Sequence, residues 1–167
     1  MDWIHGTEKK VKDIMLPIQS YATVFWEHTL QDALFVLKKS FYSEGTAGSQ
    51  AHQSVLVFDN KKRLVGTLSF RDVIGTLHSE TPIYPEGTFS RLYLSKTCYK
   101  VKDVMRPIGK RSVNSEDSIL EAIYQLNNLD FELVPVEEKG DIIGMVRAVE
   151  IYREISNLVE ANVFDNG

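Results

Sequence analysis

Hydrophobic and polar positions along this chain form an amphipathic helical pattern twice. The pattern covers residues 29–41, TLQDALFVLKKSF, and residues 118–129, SILEAIYQLNNL. In both segments apolar residues recur at intervals of three and four, which predicts a helix with one face toward a core. The predicted inward-facing residues are Leu30, Ala33, Leu34, Leu37 and Phe41 in the first helix, and Ile119, Ala122, Ile123 and Leu126 in the second.

Two short apolar runs follow each of these helices, and a polar turn separates the members of each pair. The first pair is SVLVFD and RLVGTLSF around NKK, and the second is FELVPV and DIIGMVRA around EEKG. Apolar runs of this length joined by a tight polar turn predict β-hairpins.

A second helical pattern closes each copy. It is FRDVIGTLHS in the first copy and AVEIYREISNLVEA in the second. The residues at helical spacing are Val73, Ile74 and Leu77 in the former, and Ile151, Tyr152, Ile155, Leu158 and Val159 in the latter. The sequence therefore predicts the order strand, helix, strand, strand, helix, twice.

A repeated octapeptide marks the beginning of each copy. VKDIMLPI spans Val11–Ile18 and VKDVMRPI spans Val101–Ile108, and six of the eight residues are identical. The distance along the chain between equivalent positions is shorter at the later glycines, Gly66 and Gly144, so the first copy contains an insertion. The small, polar segment Ser43–Gln53 is the predicted insertion, in the form of a surface loop.

The composition is that of a globular domain and predicts no membrane segment. Of the 167 residues, 43% are hydrophobic and 25% are charged, as in an ordinary globular domain. No apolar run approaches the roughly 20 residues that cross a bilayer, and the N-terminus lacks the apolar stretch of a secretory signal. We therefore expect a cytoplasmic protein with no membrane segment. A formal net charge of −4 disfavours a protein whose whole surface binds nucleic acid.

The whole order resembles tandem CBS domains, the pair known as a Bateman module. The resemblance rests on the VKDIM and VKDVM openings, on the helices that follow them, and on GTLSFRD, a hydrophobic-G-x-x-S/T-x-x-D strand-to-helix junction. It implies an α/β (α+β) fold of two pseudo-symmetric β-α-β-β-α repeats packed sheet to sheet. The expected repeats are residues 8–79 and 101–162, with a connecting segment at 80–100. We expect a stand-alone pair that is not an enzyme and that forms a homodimer.

The resemblance also implies a ligand. This is an adenosyl nucleotide, AMP, ADP or ATP, bound in the cleft between the repeats as a regulatory ligand, with no cofactor required. Asp72 would accept hydrogen bonds from the ribose hydroxyls, and Ser69 would donate to phosphate. The full set predicted for this first site is Ser69, Arg71, Asp72, Lys110, Arg111, Val113, Leu133 and Val134.

The second copy departs from this pattern at both key positions. GMVRAVE has Arg147 where the hydroxyl residue is expected and Glu150 where the aspartate is expected. The two sites are therefore not expected to be equivalent. The set predicted for a weaker second site is Ala22, Thr23, Ser54, Val55, Arg147 and Glu150.

Two functions stay open at this point. A serine three residues before an aspartate at the start of a helix is also a capping box, which needs no ligand and contributes about 1 kcal/mol. The chain is then either a nucleotide sensor that acts on a regulated protein of unknown identity, or a ligand-free dimerisation or interaction module. S-adenosylmethionine is a further candidate ligand.

Other candidate chemistry is weaker. The basic residues Lys100, Lys102, Arg106, Lys110 and Arg111 predict a solvated charged edge, and the run lacks the stacking aromatics that favour nucleic acid. The histidines show no paired-ligand spacing, so no metal site is predicted. A single cysteine, Cys98, excludes an intramolecular disulfide.

Overall fold

The computed structural model of the chain describes residues 8–42, 53–76, 90–91, 95, 98–109, 111–129 and 132–164. The predicted surface loop, apart from Gln53, lies outside these residues, as do Leu77 and most of the predicted connecting segment 80–100. The chain divides into two compact units, and each unit has its own four-stranded sheet.

Helices and strands follow the predicted order in both copies, with a short helix and a short strand added at each octapeptide. The first copy contains α1 (Val11–Ile14), β1 (Leu16–Pro17), β2 (Thr23–Phe25), α2 (Leu30–Phe41), β3 (Ser54–Phe58), β4 (Leu64–Ser69) and α3 (Phe70–Thr76). The second contains α4 (Val101–Val104), β5 (Arg106–Pro107), β6 (Val113–Asn114), α5 (Ile119–Leu129), β7 (Leu133–Glu138), β8 (Asp141–Arg147) and α6 (Ala148–Phe164).

The central unit, Tyr21–Gly109, contains a sheet in the order β2-β3-β4-β5. Strands β2 and β3 are parallel because α2 connects them, and the hairpin β3–β4 and the pair β4–β5 are antiparallel. The predicted inner face of α2 is exposed at Phe41, so the prediction was wrong there, whereas Leu30, Ala33 and Leu37 are buried against the sheet in the core. Its members are Val24, Leu30, Ala33, Leu37, Val55, Val57, Leu68, Val73 and Val101. The prediction was wrong for Ile74, which lies in solvent beside the buried Val73 on the short helix α3.

The terminal unit joins Met1–Ser20 to Lys110–Gly167 and contains a sheet in the order β1-β8-β7-β6. Its pairing repeats that of the central unit, with β6 and β7 parallel and the other pairs antiparallel. The buried members of its core are Val11, Ile14, Val113, Ala122, Val134, Val136, Val146 and Ile151. The mixed α/β fold with two sheets is thus confirmed.

Each unit contains the octapeptide of the other copy. In the central unit Val101 of α4 is fully buried, and its amide donates to the carbonyl of His28 over 2.8 Å. In the terminal unit Val11 of α1 is fully buried, and its amide donates to the carbonyl of Asp117 over 2.9 Å. The compact units are therefore drawn from both linear copies.

Two glycines allow this exchange. A Cβ atom on Gly66 would lie 2.7 Å from the Arg106 carbonyl oxygen and 2.7 Å from the Met105 sulfur. A Cβ atom on Gly144 would lie 2.6 Å from the Leu16 carbonyl oxygen. Real Cβ atoms do not approach other atoms so closely, so only glycine lets β5 and β1 pair against β4 and β8 at these points.

Candidate functional site

The candidate site of the central unit begins where β4 ends at Ser69 and α3 begins at Phe70. The Ser69 amide and hydroxyl donate to Oδ2 of Asp72 over 2.8 Å and 2.7 Å, and the Asp72 amide donates to the Ser69 hydroxyl oxygen over 3.2 Å. These reciprocal bonds form the capping box that the sequence left as an alternative. The hydroxyl of Ser69 is therefore directed at the carboxylate of Asp72.

A second feature separates this junction from an ordinary cap. Nε of Arg106 donates to Oδ1 of Asp72 over 2.7 Å, and the two side chains form an ion pair. The Asp72 side chain is only 6% exposed, whereas that of Arg106 is 34% exposed. A carboxylate has about four lone-pair positions, and the described bonds occupy three of them. The junction thus holds a buried, oriented carboxylate beside an arginine side chain that is about one third exposed.

Helix α2 provides an internal comparison, because Thr29 and Asp32 form a capping box of the same geometry. The Thr29 hydroxyl donates to Oδ2 of Asp32 over 2.7 Å, and the Asp32 amide donates to the Thr29 hydroxyl oxygen over 3.2 Å. The hydrogen bonds from the Thr29 hydroxyl and amide lower the pKa of Asp32. Asp32 lies in solvent, unlike Asp72. Burial and the arginine therefore distinguish the junction of the central unit from a cap alone.

Arg106 was missed as a site residue by the sequence analysis, which placed it in a basic run. It lies in β5, directly opposite Thr67 of β4, and Thr67 precedes Ser69 by two positions on the same face of the sheet. A signal was present, because Arg106 replaces Leu16 in otherwise similar octapeptides. The difference between the octapeptides thus marks a residue of the candidate site.

In the corresponding junction of the terminal unit, the arginine that pairs with the carboxylate is the last residue of the junction's own strand, β8. The Arg147 amide donates to Oε2 of Glu150 over 3.0 Å, and Nε donates to both carboxylate oxygens over 3.0 Å. Nη2 of Arg147 also donates to Oε1 of Glu150. The two side chains are 12% and 6% exposed. With four described bonds, the acceptor positions of Glu150 are filled.

Two residues predicted for one site lie beside the key residue of the other. Ser54 of β3, predicted for the second site, is the ladder partner of Ser69, and both residues are buried. Leu133 of β7, predicted for the first site, is the ladder partner of Arg147. Each strand end is therefore flanked within its own unit by a residue that the sequence analysis gave to the other site.

The remaining predicted residues divide between the units. Ala22, Thr23 and Val55 belong to the central unit with Ser69, Arg71 and Asp72, and Arg111, Val113 and Val134 belong to the terminal unit. Lys110 lies outside the described residues. The joining of residues from both units into one site stays a prediction.

The prediction of a solvated charged edge is confirmed for Lys100 and Lys102. Lys102 is exposed and forms an ion pair with Glu27 over 2.7 Å, and the Lys100 ammonium donates to the Glu27 carbonyl over 2.9 Å. Arg106 departs from the prediction because it points to Asp72. In the described part of the chain, no group of three or more His, Cys, Asp or Glu residues is arranged to hold a metal. None of the helices within the described ranges is long and apolar enough to cross a membrane.

This fold, with its two sheets and its exchanged opening segments, is shared with several solved structures. Solved structures with this fold include the CBS-pair protein CBSX2 from Arabidopsis thaliana, with 21% identity, a TM-score of 0.68, and coverage of 92% of this chain and 99% of that chain. CBSX2 has also been crystallised in complex with AMP; that structure has a TM-score of 0.62 and 21% identity and covers 89% of this chain and 97% of its own.

A CBS domain-containing protein of unknown function from Bacillus anthracis has the same fold, with 22% identity, a TM-score of 0.63, and coverage of 89% of this chain and 94% of that chain. In sequence, residues 101–157 match the family model of the CBS domain. No curated protein matches the chain. Residues 101–157 thus match a CBS domain, and the fold of the described chain is that of a CBS pair.

Proposed function

We propose that this protein is a non-catalytic regulatory module that binds an adenosine nucleotide at the Ser69–Asp72 junction of the central unit. The observation that carries the proposal is the buried Asp72 carboxylate, which Ser69 and Arg106 hold in one orientation. The AMP complex of CBSX2, a protein of the same fold, supports the class of ligand.

The chemistry of the junction suits a ribose and a phosphate. A carboxylate with a remaining acceptor position accepts hydrogen bonds from sugar hydroxyls, and such charge-assisted bonds are stronger than neutral ones. The Arg106 side chain is 34% exposed, and its guanidinium offers a cation to a phosphate group. Binding would exchange the capping bond of the Ser69 hydroxyl for a bond to phosphate. The same guanidinium repels the sulfonium of S-adenosylmethionine, so we favour a nucleotide.

Regulation would follow from a difference in affinity. A nucleotide that binds one conformation of the module more tightly than another shifts the population toward it, by no more than that difference. The changed population then alters the affinity for a regulated protein, whose identity is not encoded in the site.

Thermal melting with AMP, ADP, ATP and S-adenosylmethionine tests this function. A ligand at 100 times its dissociation constant adds about 2.7 kcal/mol, which raises the melting temperature of a protein of this size by about 5–10 °C. We expect this shift with at least one nucleotide and a smaller one with S-adenosylmethionine. If millimolar concentrations of all four compounds leave the melting temperature unchanged, the proposed function is wrong.

A second candidate function is a ligand-free interaction module, and a specific observation favours it. Helices α5 and α6 of the terminal unit expose large apolar side chains, and those on α6 are residues that recur at helical spacing in the sequence. They are Leu120, Tyr124, Tyr152, Ile155, Leu158 and Val159, with exposed fractions between 52% and 68%. Exposed apolar surface of this kind is typical of protein contacts. We propose a homodimer formed through these residues, which is compatible with either function.

A further inference from the structure

The arginine of the buried ion pair occupies a different strand in each unit. In the central unit it is Arg106 on the edge strand β5, and the strand end carries Ser69. In the terminal unit the equivalent edge position carries Leu16, and the arginine is Arg147 at the strand end itself. Both arginines pair with the carboxylate three residues after the strand end, Asp72 or Glu150. Each junction thus has a guanidinium beside a carboxylate at the equivalent position, but the arginine lies on a different strand in each unit.

Strand register explains why an arginine at either position reaches the carboxylate. Arg106 is paired with Thr67, and Leu16 is paired with Met145, so each edge residue lies two positions before the strand end. Residues opposite each other in a ladder share a face, and a diagonal neighbour is within reach of a long side chain. An arginine at position 16 would therefore approach Glu150 as Arg106 approaches Asp72.

We propose that these are two alternative positions for one arginine, and that the choice between them decides whether a junction can take a ligand. An arginine on the edge strand leaves a hydroxyl at the strand end and an acceptor position on the carboxylate. An arginine at the strand end removes the hydroxyl and fills the carboxylate with its own donors. Arg147 thereby closes the junction of the terminal unit from within.

A change of arginine position tests the equivalence of the two positions without any ligand. Arg147→Ser leaves Glu150 buried without its partner, which we expect to lower the melting temperature by about 5–15 °C. Adding Leu16→Arg to that variant restores a guanidinium, so more than half of the loss should be recovered. Leu16→Met in the same background is the matched control, because it changes the packing and adds no charge, and it should recover nothing.

Several outcomes would overturn the equivalence. One is an unchanged melting temperature for R147S. Another is a change in melting temperature on adding L16R that is equal in the wild-type and R147S backgrounds. The third is a recovery of melting temperature with L16M that equals the recovery with L16R. If R147S alone does not fold, folding of L16R/R147S supports the equivalence, and failure of both variants contradicts it.

The ligand part of the inference rests on the proposed function, and calorimetric titration with AMP tests it. We expect one AMP per chain for the wild type and two for L16R/R147S/E150D, which rebuilds the arrangement of the central unit. A wild type that binds one AMP and a triple variant that also binds one would overturn the closure by Arg147 and leave the proposed function standing. A wild type that already binds two would overturn the closure as well.

The absence of AMP, ADP and ATP binding to the wild type would be a separate result. It would remove the proposed function, and the ligand part of the inference with it. The equivalence of the two arginine positions would still be decided by the melting temperatures of R147S and L16R/R147S.

Discussion

The guanidinium of Arg106 and the carboxylate of Asp72 form an ion pair with 2.7 Å between Nε and Oδ1. The pair connects the octapeptide of the second copy to the strand-to-helix junction of the first copy. It combines a structural role, since a buried carboxylate needs a partner, with a chemical one, since it holds that carboxylate in one orientation.

Replacing Asp72 should remove nucleotide binding, whereas replacing Asp32 should not. Both D72A and D32A destroy a capping box of the same geometry and are each expected to cost about 1 kcal/mol from the cap. Only D72A removes the buried carboxylate beside Arg106. We expect the nucleotide-dependent rise in melting temperature to disappear in D72A and to persist in D32A and in E150A. Equal losses in D72A and E150A would show that the two junctions contribute alike.

Replacing Arg106 with leucine, the residue at the equivalent position 16, should destabilise the protein. The loss leaves the Asp72 carboxylate without its cation, and because Arg106 is partly exposed we expect about 2–3 kcal/mol, below the range for fully buried pairs. Urea unfolding measures the change. The double variant R106L/D72N should cost less than the sum of the single variants, because it leaves no uncompensated charge. Strict additivity would argue against a direct interaction.

Replacing Gly66 or Gly144 with alanine should also destabilise the fold. The new Cβ atoms would lie 2.7 Å and 2.6 Å from the carbonyl oxygens of Arg106 and Leu16, so a backbone segment must move. We expect losses of about 1–3 kcal/mol, as for overpacked interiors. Gly75 of α3 is the control, because a Cβ atom there would have no neighbour within 4 Å among the described residues, and G75A should leave stability unchanged or raise it by up to about 1 kcal/mol. A loss in G75A as large as that in G66A would contradict the steric explanation.

Acid should weaken the attachment of α1 to the rest of the terminal unit. Hydrogen bonds from Lys10 and Lys12 lower the pKa of Glu116 from 4.5 to about 2. A carboxylate with a lowered pKa in the folded state stabilises that state above its unfolded pKa and loses the effect as the pH falls. The contribution of Glu116 should therefore disappear between about pH 4.5 and pH 2. Stability measured against pH should have a smaller slope in this window for E116Q, and high salt should reduce the difference because the groups are exposed.

The proposed homodimer should depend on the exposed apolar residues of α6. Tyr152→Glu or Ile155→Glu places a charge in the proposed contact, so sedimentation should report a monomer for either variant. Phe35→Glu is the control, since Phe35 is exposed on α2 of the central unit, outside the proposed contact. Dissociation by F35E to the same extent, or a wild-type monomer at all concentrations tested, would contradict the proposed contact.

Much of each unit could be read from local patterns. The spacing of Leu30, Ala33 and Leu37 predicted the buried face of α2, and the turn NKK between two apolar runs predicted the hairpin β3–β4. Spacing alone did not tell which apolar residues of α6 are buried: Ile151 is buried, while Tyr152 and Ile155 are exposed. Periodicity shows that a helix face is apolar, but the same pattern arises whether the face meets its own core or lies on the surface.

The sequence by itself determined the repeat and the element order, because these depend on neighbouring residues and on local backbone conformation. Only the tertiary structure decided that each octapeptide belongs to the unit of the other copy, and that Arg106 meets Asp72. Strand pairing uses backbone amides and carbonyls that are the same in every residue, so the sequence does not name the partner of β5. The ion pair follows from that pairing, since register alone brings the Arg106 side chain to a carboxylate distant in the chain.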